Sequence, residues 1–334
     1  MVNFGIVGFG LHAVKRLMPG FEQSKNCRVI ALSRRDIRKA EASAAEYKIP
    51  HAFSTVEDLC QCKDVDAVFV TSPNCCHLPD VLTALKNGKH VLCEKPLAMD
   101  APECRQMVDA AQKAGLQFGV AHVFRFNDSI VHIRNRIASG EIGKPVLARS
   151  EFSFPANNDH PRKWLYDRSV AGGGPIYDIG VHCIDTLRYV LQDEVTQVSA
   201  SSTSDSRSGN VEAAAVLLLE FSRGTLASVL VSYRADYRTP LEVIGNSAVL
   251  IADNALNVEV PVEIELRHDG KLLDSEKVSN NLAYAKQVDE FAASLDGKIK
   301  FRAPGQEGWQ NQEILDAAYR SISSGRAEHV RRVV

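Results

Sequence analysis

Two short stretches of this 334-residue chain carry side chains suited to moving protons beside an alcohol or a carbonyl. One is Glu94-Lys95-Pro96, after the apolar run His90 to Cys93; the other is Asp178-Ile179-Gly180-Val181-His182, after Gly172-Gly173-Gly174. A lysine ammonium donates to a developing alkoxide, and an imidazole exchanges a proton near neutral pH. Standing together at the mouth of one cofactor pocket, they provide what alcohol–carbonyl redox chemistry needs. Pro96 restricts the backbone of Lys95. Asp178, His182 and Asp185 fall at i, i+4 and i+7, one face of a helix, with Val181, Ile184, Leu187 and Leu191 on the other. A polar stripe is ordinarily a wet helix face. Against that stand the triple glycine, which permits close backbone approach to a ligand, and the interior Gly180, costly in a helix unless something packs against it. Asp185, one turn beyond His182, is placed to orient the imidazole and raise its pKa, or to serve only as a cap or surface charge.

A cofactor pocket is announced at the N-terminus. The run Val2 to Val7 reads as a buried strand and leads into Gly8-x-Gly10-x-x-Ala13 and a helical pattern, with Leu11 and His12 inside the turn. Gly8 permits the tight turn, Gly10 lets backbone approach a pyrophosphate, and Ala13 lets helix pack close to strand. A second strand, Arg28 to Leu32, ends at Ser33-Arg34-Arg35, where the residue that reads the adenine ribose is expected. A carboxylate there would select NAD(H). Ser33 followed by Arg34, Arg35 and Arg38 instead suits a 2′-phosphate, so NADP(H) is the expected cofactor. The competing reading makes these arginines solvated helix residues and leaves Asp36 to support NAD(H).

Ligands of an open parallel sheet bind beyond the carboxyl ends of its strands. Thr71-Ser72-Pro73-Asn74, with His77 following, ends the third long apolar run and is expected to shape the floor for the nicotinamide ribose, unless it is an ordinary capped turn. Glu94 and Lys95 end the fourth. His122, just past the run Gln117 to Ala121, is expected to touch substrate, as are Arg125 beside Phe126-Asn127 and Trp164 beside Tyr166. A tryptophan face stacks on sugar C–H groups, though it also serves as core.

These segments need elements to hold them. The first ~120 residues alternate short apolar runs with helices such as Leu78 to Asn87 and Ala101 to Ala114, closed by Gly88 and Gly115, which argues for a parallel sheet with helices on both faces. Past Ala121 the pattern changes. A helix is predicted over Asp128 to Ser139 and a strand over Val146 to Phe154. A loop with three prolines reaches Pro175, which opens the His182 helix. From Val195 to Val278 the chain alternates like an antiparallel sheet of about six strands, with Asp269-Gly270 as its best hairpin turn. Helices near Ala283 to Ser294 and Gly308 to Ser323 close an α+β domain. The expected division is 1–121 for the dinucleotide-binding domain and 122–334 for the substrate-binding and oligomerisation domain.

Composition bounds the partners. Thirty-nine Lys and Arg against 41 Asp and Glu leave a net charge of −2, so no global field points to nucleic acid or an anionic membrane. No apolar run reaches membrane-spanning length. The eight cysteines show no repeated metal-ligand spacing and read as reduced thiols of a cytoplasmic protein; no metal is expected.

Four ordered motifs, Gly8-x-Gly10-x-x-Ala13, Gly88-Lys89-His90-Val91-Leu92-Cys93-Glu94-Lys95-Pro96-Leu97, Gly140-Glu141-Ile142-Gly143 and Gly172-Gly173-Gly174-x-x-x-Asp178-Ile179-Gly180-x-His182-x-x-Asp185, resemble the glucose-fructose oxidoreductase/inositol dehydrogenase (Gfo/Idh/MocA) family over nearly the whole chain. The resemblance implies a Rossmann domain followed by a sheet domain whose open face forms homodimers or homotetramers, a cis Lys95-Pro96 bond, catalytic roles for Lys95 and His182, and substrate positioning by Asp178. In oxidation His182 would accept the hydroxyl proton; in reduction Lys95 would polarise the carbonyl. The expected activity is that of an NADP(H)-dependent oxidoreductase acting on a sugar, anhydro-sugar or polyol, and similarity to anhydrofructose reductases in the Ser-Arg pattern after the second strand tilts it toward carbonyl reduction. The same family pattern also fits NAD-retaining glycoside hydrolases and non-catalytic nucleotide sensors.

Overall fold

The computed structural model describes residues 1–156 and 162–333. They form two compact units, one joining Met1–Val123 with Leu282–Trp309 and the other joining Phe124–Asn281 with the chain from Gln310 onward. The backbone thus passes between units three times, where the sequence expectation drew one boundary after 121. The helix Ala283–Ser294 accounts for the difference, because its partners are distant in sequence. Phe291 packs on Phe4 and Phe301 at centroid distances of 6.2 and 5.2 Å, and Asp289 accepts from the Ser24 hydroxyl and the Asn26 amide at 2.6 and 2.9 Å.

The first unit is a Rossmann-like α/β layer. Its strands β1 (Val2–Val7), β2 (Cys27–Ser33), β3 (His51–Phe53), β4 (Ala67–Val70), β5 (His90–Cys93) and β6 (Phe118–Val120) pair in parallel in the order β3-β2-β1-β4-β5-β6. Ala67 to Val70 and Val91 to Cys93 are fully buried, as strands covered on both faces must be, which is why they read as unbroken apolar runs. β3 escapes the sequence reading: three half-buried edge residues are too few to show a period. The helix Ala101–Ala114 starts where Asp100 accepts from the Glu103 amide at 2.9 Å and ends at Gly115, φ 66°. Strand order reverses between β1 and β4, and the crevice for a ligand opens at their carboxyl ends.

The second unit is α+β. Strands β7 (Pro145–Ser153), β8 (Val195–Thr203), β9 (Ala214–Phe221), β10 (Leu226–Ser232), β11 (Leu241–Gly245), β12 (Val249–Ala252), β13 (Val262–His268), β14 (Lys271–Val278) and β15 (Glu328–His329) form one sheet in the order β14-β13-β12-β11-β7-β10-β9-β8-β15. Only β7 and β10 run parallel. Between Val195 and Val278 there are seven strands rather than about six. Asp269 and Gly270, φ 47° and 74°, make the two-residue turn joining β13 to β14. The helix Val181–Leu191 lies behind the sheet with every residue from Val181 to Arg188 buried, so its polar stripe is not a wet face. Part of the proline-containing loop before Pro175 falls outside the described residues.

Candidate active site

The site residues divide between the two units, and each group has its own geometry. In the first unit, Gly8 has φ 76°, and a Cβ there would lie 2.7 Å from the Ser72 nitrogen, so glycine is obligatory where β1 and β4 end together. Thr71 fastens the same corner: its hydroxyl donates to the Val7 and Gly8 carbonyls, both at 3.0 Å. A Cβ at Gly10 would meet only the Gly8 carbonyl, at 3.5 Å. The chain itself therefore does not demand glycine at Gly10, whereas a pyrophosphate seated over the turn would. Helical bonding begins there, with Val14 donating to the Gly10 carbonyl at 3.1 Å, a π-type turn over Ala13–Leu17, and Ala13 fully buried. Leu11 is exposed and His12 partly so. These residues fit a dinucleotide, which they would hold by its phosphates.

At the ribose end, Ser33 is buried at the end of β2, Arg34 is half-buried and donates through Nη1 to the Ser43 hydroxyl at 2.8 Å, and Arg38 is exposed. Asp36 is the N-cap of the helix Ile37–Tyr47, accepting from the Arg38 and Lys39 amides at 3.1 and 3.4 Å. Oδ1 of this exposed carboxylate is engaged in capping.

Lys95 follows β5, two strands from β1, and its bond to Pro96 is cis. Its neighbours are tied down on both sides. Glu94 is paired with His12 Nε2 at 2.8 Å and accepts from the Lys95 amide at 3.2 Å. Burial pushes the Glu94 carboxyl up, but His12 and Lys95 outweigh it and hold the carboxyl below its usual range. His77, expected to touch cofactor, is instead completely buried, with ring nitrogens at hydrogen-bond distance from backbone carbonyls. Burial lowers its pKa, with the Ser72 carbonyl and Glu94 opposing. Asn74 is buried, Pro73 half-buried, and the Ser72 hydroxyl donates to Asp80 at 2.6 Å. His122, past β6, is 1% exposed.

In the second unit His182 sits one turn into the buried helix, which opens with a π-type turn over Ile176–Gly180. Such turns locally rewind a helix and recur at functional sites. The His182 ring meets Phe124 edge-on at 4.8 Å and Phe152 at 6.1 Å. Asp178 accepts from the Tyr233 hydroxyl at 3.1 Å, and the Tyr233 ring meets Phe154 at a tilt and Tyr166 edge-on, at centroid distances of 5.3 and 6.0 Å. Burial, reinforced by Asp178, raises the Tyr233 phenol well above its ordinary pKa, so it stays a donor to the carboxylate. Trp164 is half-buried in a short 3-10 turn, Lys163–Tyr166.

One expectation here is corrected. Asp185 does not serve as a surface charge; it is 2% exposed and takes a bidentate pair from Arg125, Nε at 3.1 and 3.0 Å and Nη2 at 2.7 Å, plus the Asn311 amide at 2.8 Å. Arg125, expected to line the substrate pocket, is held by this pair inside the unit and also lies 5.3 Å over the Tyr189 ring. Packing alone already requires all three glycines: a Cβ at Gly172 would strike the Tyr177 ring, at Gly173 the Tyr319 hydroxyl, and at Gly174 the Glu212 carbonyl. Glu212 then accepts from the Gly174 and Ile176 amides at 3.1 and 3.0 Å, satisfying the helix start. Glu212, Tyr233, Phe124 and Phe152 carry no local sequence signal, since their partners lie far along the chain.

Among the described residues one grouping has metal-ligand atoms within 4.8 Å of one another, His51, Cys62 and Asp64. Its members come from β3 and the turn after the helix Val56–Gln61, a spacing no motif reveals.

The description "Oxidoreductase family, NAD-binding Rossmann fold" matches residues 2–122, and "GFO/IDH/MocA C-terminal domain" matches residues 130–251. The chain belongs to the Gfo/Idh/MocA oxidoreductase family. It is accordingly an NAD(P)-dependent oxidoreductase. It is 30% identical over 332 residues to a 1,5-anhydro-D-fructose reductase of Ensifer adhaerens, covering 99% of each chain. It is also 30% identical over 330 residues to a "D-xylose 1-dehydrogenase (NADP(+)) 2" of Haloferax volcanii, covering 97% of this chain and 98% of that one. Its fold superposes on an aldose-aldose oxidoreductase from Caulobacter crescentus, complexed with glycerol, with a TM-score of 0.91 and 25% identity over 98% of this chain and 99% of that one.

Proposed function

We propose that the chain is an NADP(H)-dependent oxidoreductase that interconverts a carbonyl and an alcohol on a sugar, anhydro-sugar or polyol, with Lys95, His182 and Asp178 as its working groups. The observation that carries this reading is Lys95 at the carboxyl end of β5, in the same sheet as the Gly8 turn, with both flanking segments fastened to other parts of its unit. A bound nicotinamide supplies or takes the hydride. Lys95 donates a hydrogen bond to the carbonyl oxygen and stabilises the charge that develops there. His182 hands a proton to the oxygen in reduction and takes it back in oxidation. Asp178, oriented by Tyr233, fixes a substrate hydroxyl, and the rings of Phe152, Phe154 and Tyr166 offer flat faces suited to sugar C–H groups.

Preference for NADP(H) is supported by Ser33 in place of a carboxylate, by Arg34 with donors beyond the one used on Ser43, and by the commitment of Asp36 to its helix cap. The relative named for NADP(+) agrees with this direction. A reductase role for an anhydro-sugar draws on the full-length similarity to the 1,5-anhydro-D-fructose reductase. Self-association through the outer sheet face is supported by Leu147, Val216, Leu218 and Leu226, which are 45 to 57% exposed on adjoining strands. The thiols suit a reducing, cytoplasmic compartment: among the described residues, which include all eight cysteines, no disulfide forms.

The test is NADPH consumption against 1,5-anhydro-D-fructose, aldoses and ketoses, with polyol oxidation by NADP⁺ alongside. Loss of reduced nicotinamide with at least one of them, and at least about tenfold weaker use of NADH, is the expected result. Glycoside cleavage with retained nucleotide and no net absorbance change would replace this reading by the hydrolase one. Nucleotide binding with no turnover at all would make the protein a sensor.

A further inference from the structure

We propose that His77 is a positioning residue for Lys95. The proposal rests on the reading of Lys95 as the lysine that acts on the substrate oxygen. His77 opens the helix His77–Lys86 and is 0% exposed. Its Nδ1 lies 3.1 Å from the Pro96 carbonyl and 3.2 Å from the Leu97 carbonyl, and its Nε2 lies 2.9 Å from the Ser72 carbonyl. One ring therefore spans two backbone segments. Ser72 stands against Gly8 at the β1/β4 corner, and Pro96 and Leu97 are the two residues after Lys95. On the other side of Lys95, Glu94 is held by His12, which rises from the glycine turn itself.

The consequence is geometric. Lys95 carries a long, flexible side chain, and where its ammonium points depends first on where its Cα is held. The peptide before it is referenced to the glycine turn through Glu94 and His12, and the peptide after it is referenced to the corner beside that turn through His77. The buried, neutral imidazole has one N–H, so it donates to a carbonyl of one segment while its other nitrogen and the ring body pack against the other segment, and the rigid ring sets the separation that a flexible apolar side chain would not. An apolar replacement would also remove the one hydrogen bond that the ring donates to these buried carbonyls. Catalytic groups held in this way lose rate steeply on small displacement, about a hundredfold for 1 Å. His77 touches neither substrate nor reacting atoms and would act only through the Lys95 backbone.

The experiment compares His77→Gln, whose amide reaches the Nε2 position beside the Ser72 carbonyl, with His77→Asn, whose amide reaches only the Nδ1 position and leaves the Ser72 side of the gap unfilled, in the full chain and on the carbonyl substrate that supports turnover. Rates are expressed per bound NADPH, measured by fluorescence titration, so that loss of folded protein does not count as loss of rate. Expected is a fall in kcat of at least about thirtyfold for His77→Asn, less than about tenfold for His77→Gln, NADPH affinity within about threefold for both, and a larger primary isotope effect with deuterated NADPH as hydride transfer becomes limiting. In a Lys95→Ala background, His77→Asn should cost less than about threefold more, because the residue it positions is gone. Near-normal kcat per bound NADPH in His77→Asn, or its full penalty undiminished beside Lys95→Ala, overturns the proposal. Lys95→Ala retaining normal turnover would instead overturn the reading of Lys95, a result distinct from an inert His77→Asn beside an inactive Lys95→Ala.

Discussion

Arg125→Met removes the guanidinium from a pair in which both side chains are almost completely enclosed, 5% exposed for Arg125 and 3% for Asp185. Three contacts between 2.7 and 3.1 Å disappear, and the carboxylate is left buried with the Asn311 amide, 2.8 Å away, still donating to it. Stranding one member of a buried pair costs about 3–5 kcal/mol, whereas replacing both members by apolar residues of similar volume is often nearly neutral. Arg125→Met should therefore lower stability by about 3–5 kcal/mol, and Arg125→Met with Asp185→Leu should recover most of that. Urea unfolding followed by circular dichroism, with the four proteins of the cycle compared at matched pH and salt, measures both quantities. A single-mutant loss below about 1 kcal/mol would refute the argument. So would a collapse of substrate affinity at unchanged stability, which would return Arg125 to the substrate pocket.

Three other outcomes are expected. Arg34→Ala should erode the preference for NADPH over NADH by at least about tenfold, or 1.4 kcal/mol, in nucleotide titrations, and an unchanged ratio would move 2′-phosphate recognition elsewhere. Glu94 has a folded pKa below its unfolded value, so its carboxylate contributes stability above the ordinary glutamate range and loses it as pH falls through the lowered folded value. The stability gap between the native protein and Glu94→Gln should thus narrow as pH falls below about 4.3, and a gap constant with pH would contradict the His12 pairing. Leu218→Glu, placing a charge among the exposed leucines of the outer sheet face, should shift the protein to monomer in light scattering while the fold is kept; an unchanged mass would dismiss that face as the interface.

Much of the scaffold was legible because its signals are local. Strands covered on both faces must be apolar throughout, and β4 and β5 declared themselves that way. Gly115 closing its helix, and Asp269-Gly270 turning β13 into β14, are backbone requirements that only a few residue types meet. The site was legible as residue types and spacing, but its supports were not. Arg125 and Asp185 are 60 residues apart, and nothing near either announces the other. The triple glycine looked like room for a ligand because the tyrosines that fill it, Tyr177 and Tyr319, are recognisable only once folded. His77 misled for a similar reason: a histidine at a strand-to-helix corner suggests cofactor contact, while its actual partners are carbonyls about twenty residues onward. The helix Ala283–Ser294 is legible at both ends but its packing partners are not, because Phe4 and Ser24 lie at the opposite end of the chain.

The central claim is hydride exchange between NADP(H) and a sugar-like carbonyl, with Lys95 and His182 acting on its oxygen. Its most direct test is the steady-state rate of NADPH oxidation by the native protein, Lys95→Ala and His182→Asn on the carbonyl substrate identified by screening, with NADPH affinity measured on the same samples. The expected result is a loss of roughly two to four orders of magnitude in kcat for each variant, at nearly unchanged NADPH affinity. Both variants retaining native rates, with nucleotide still bound, would contradict the claim.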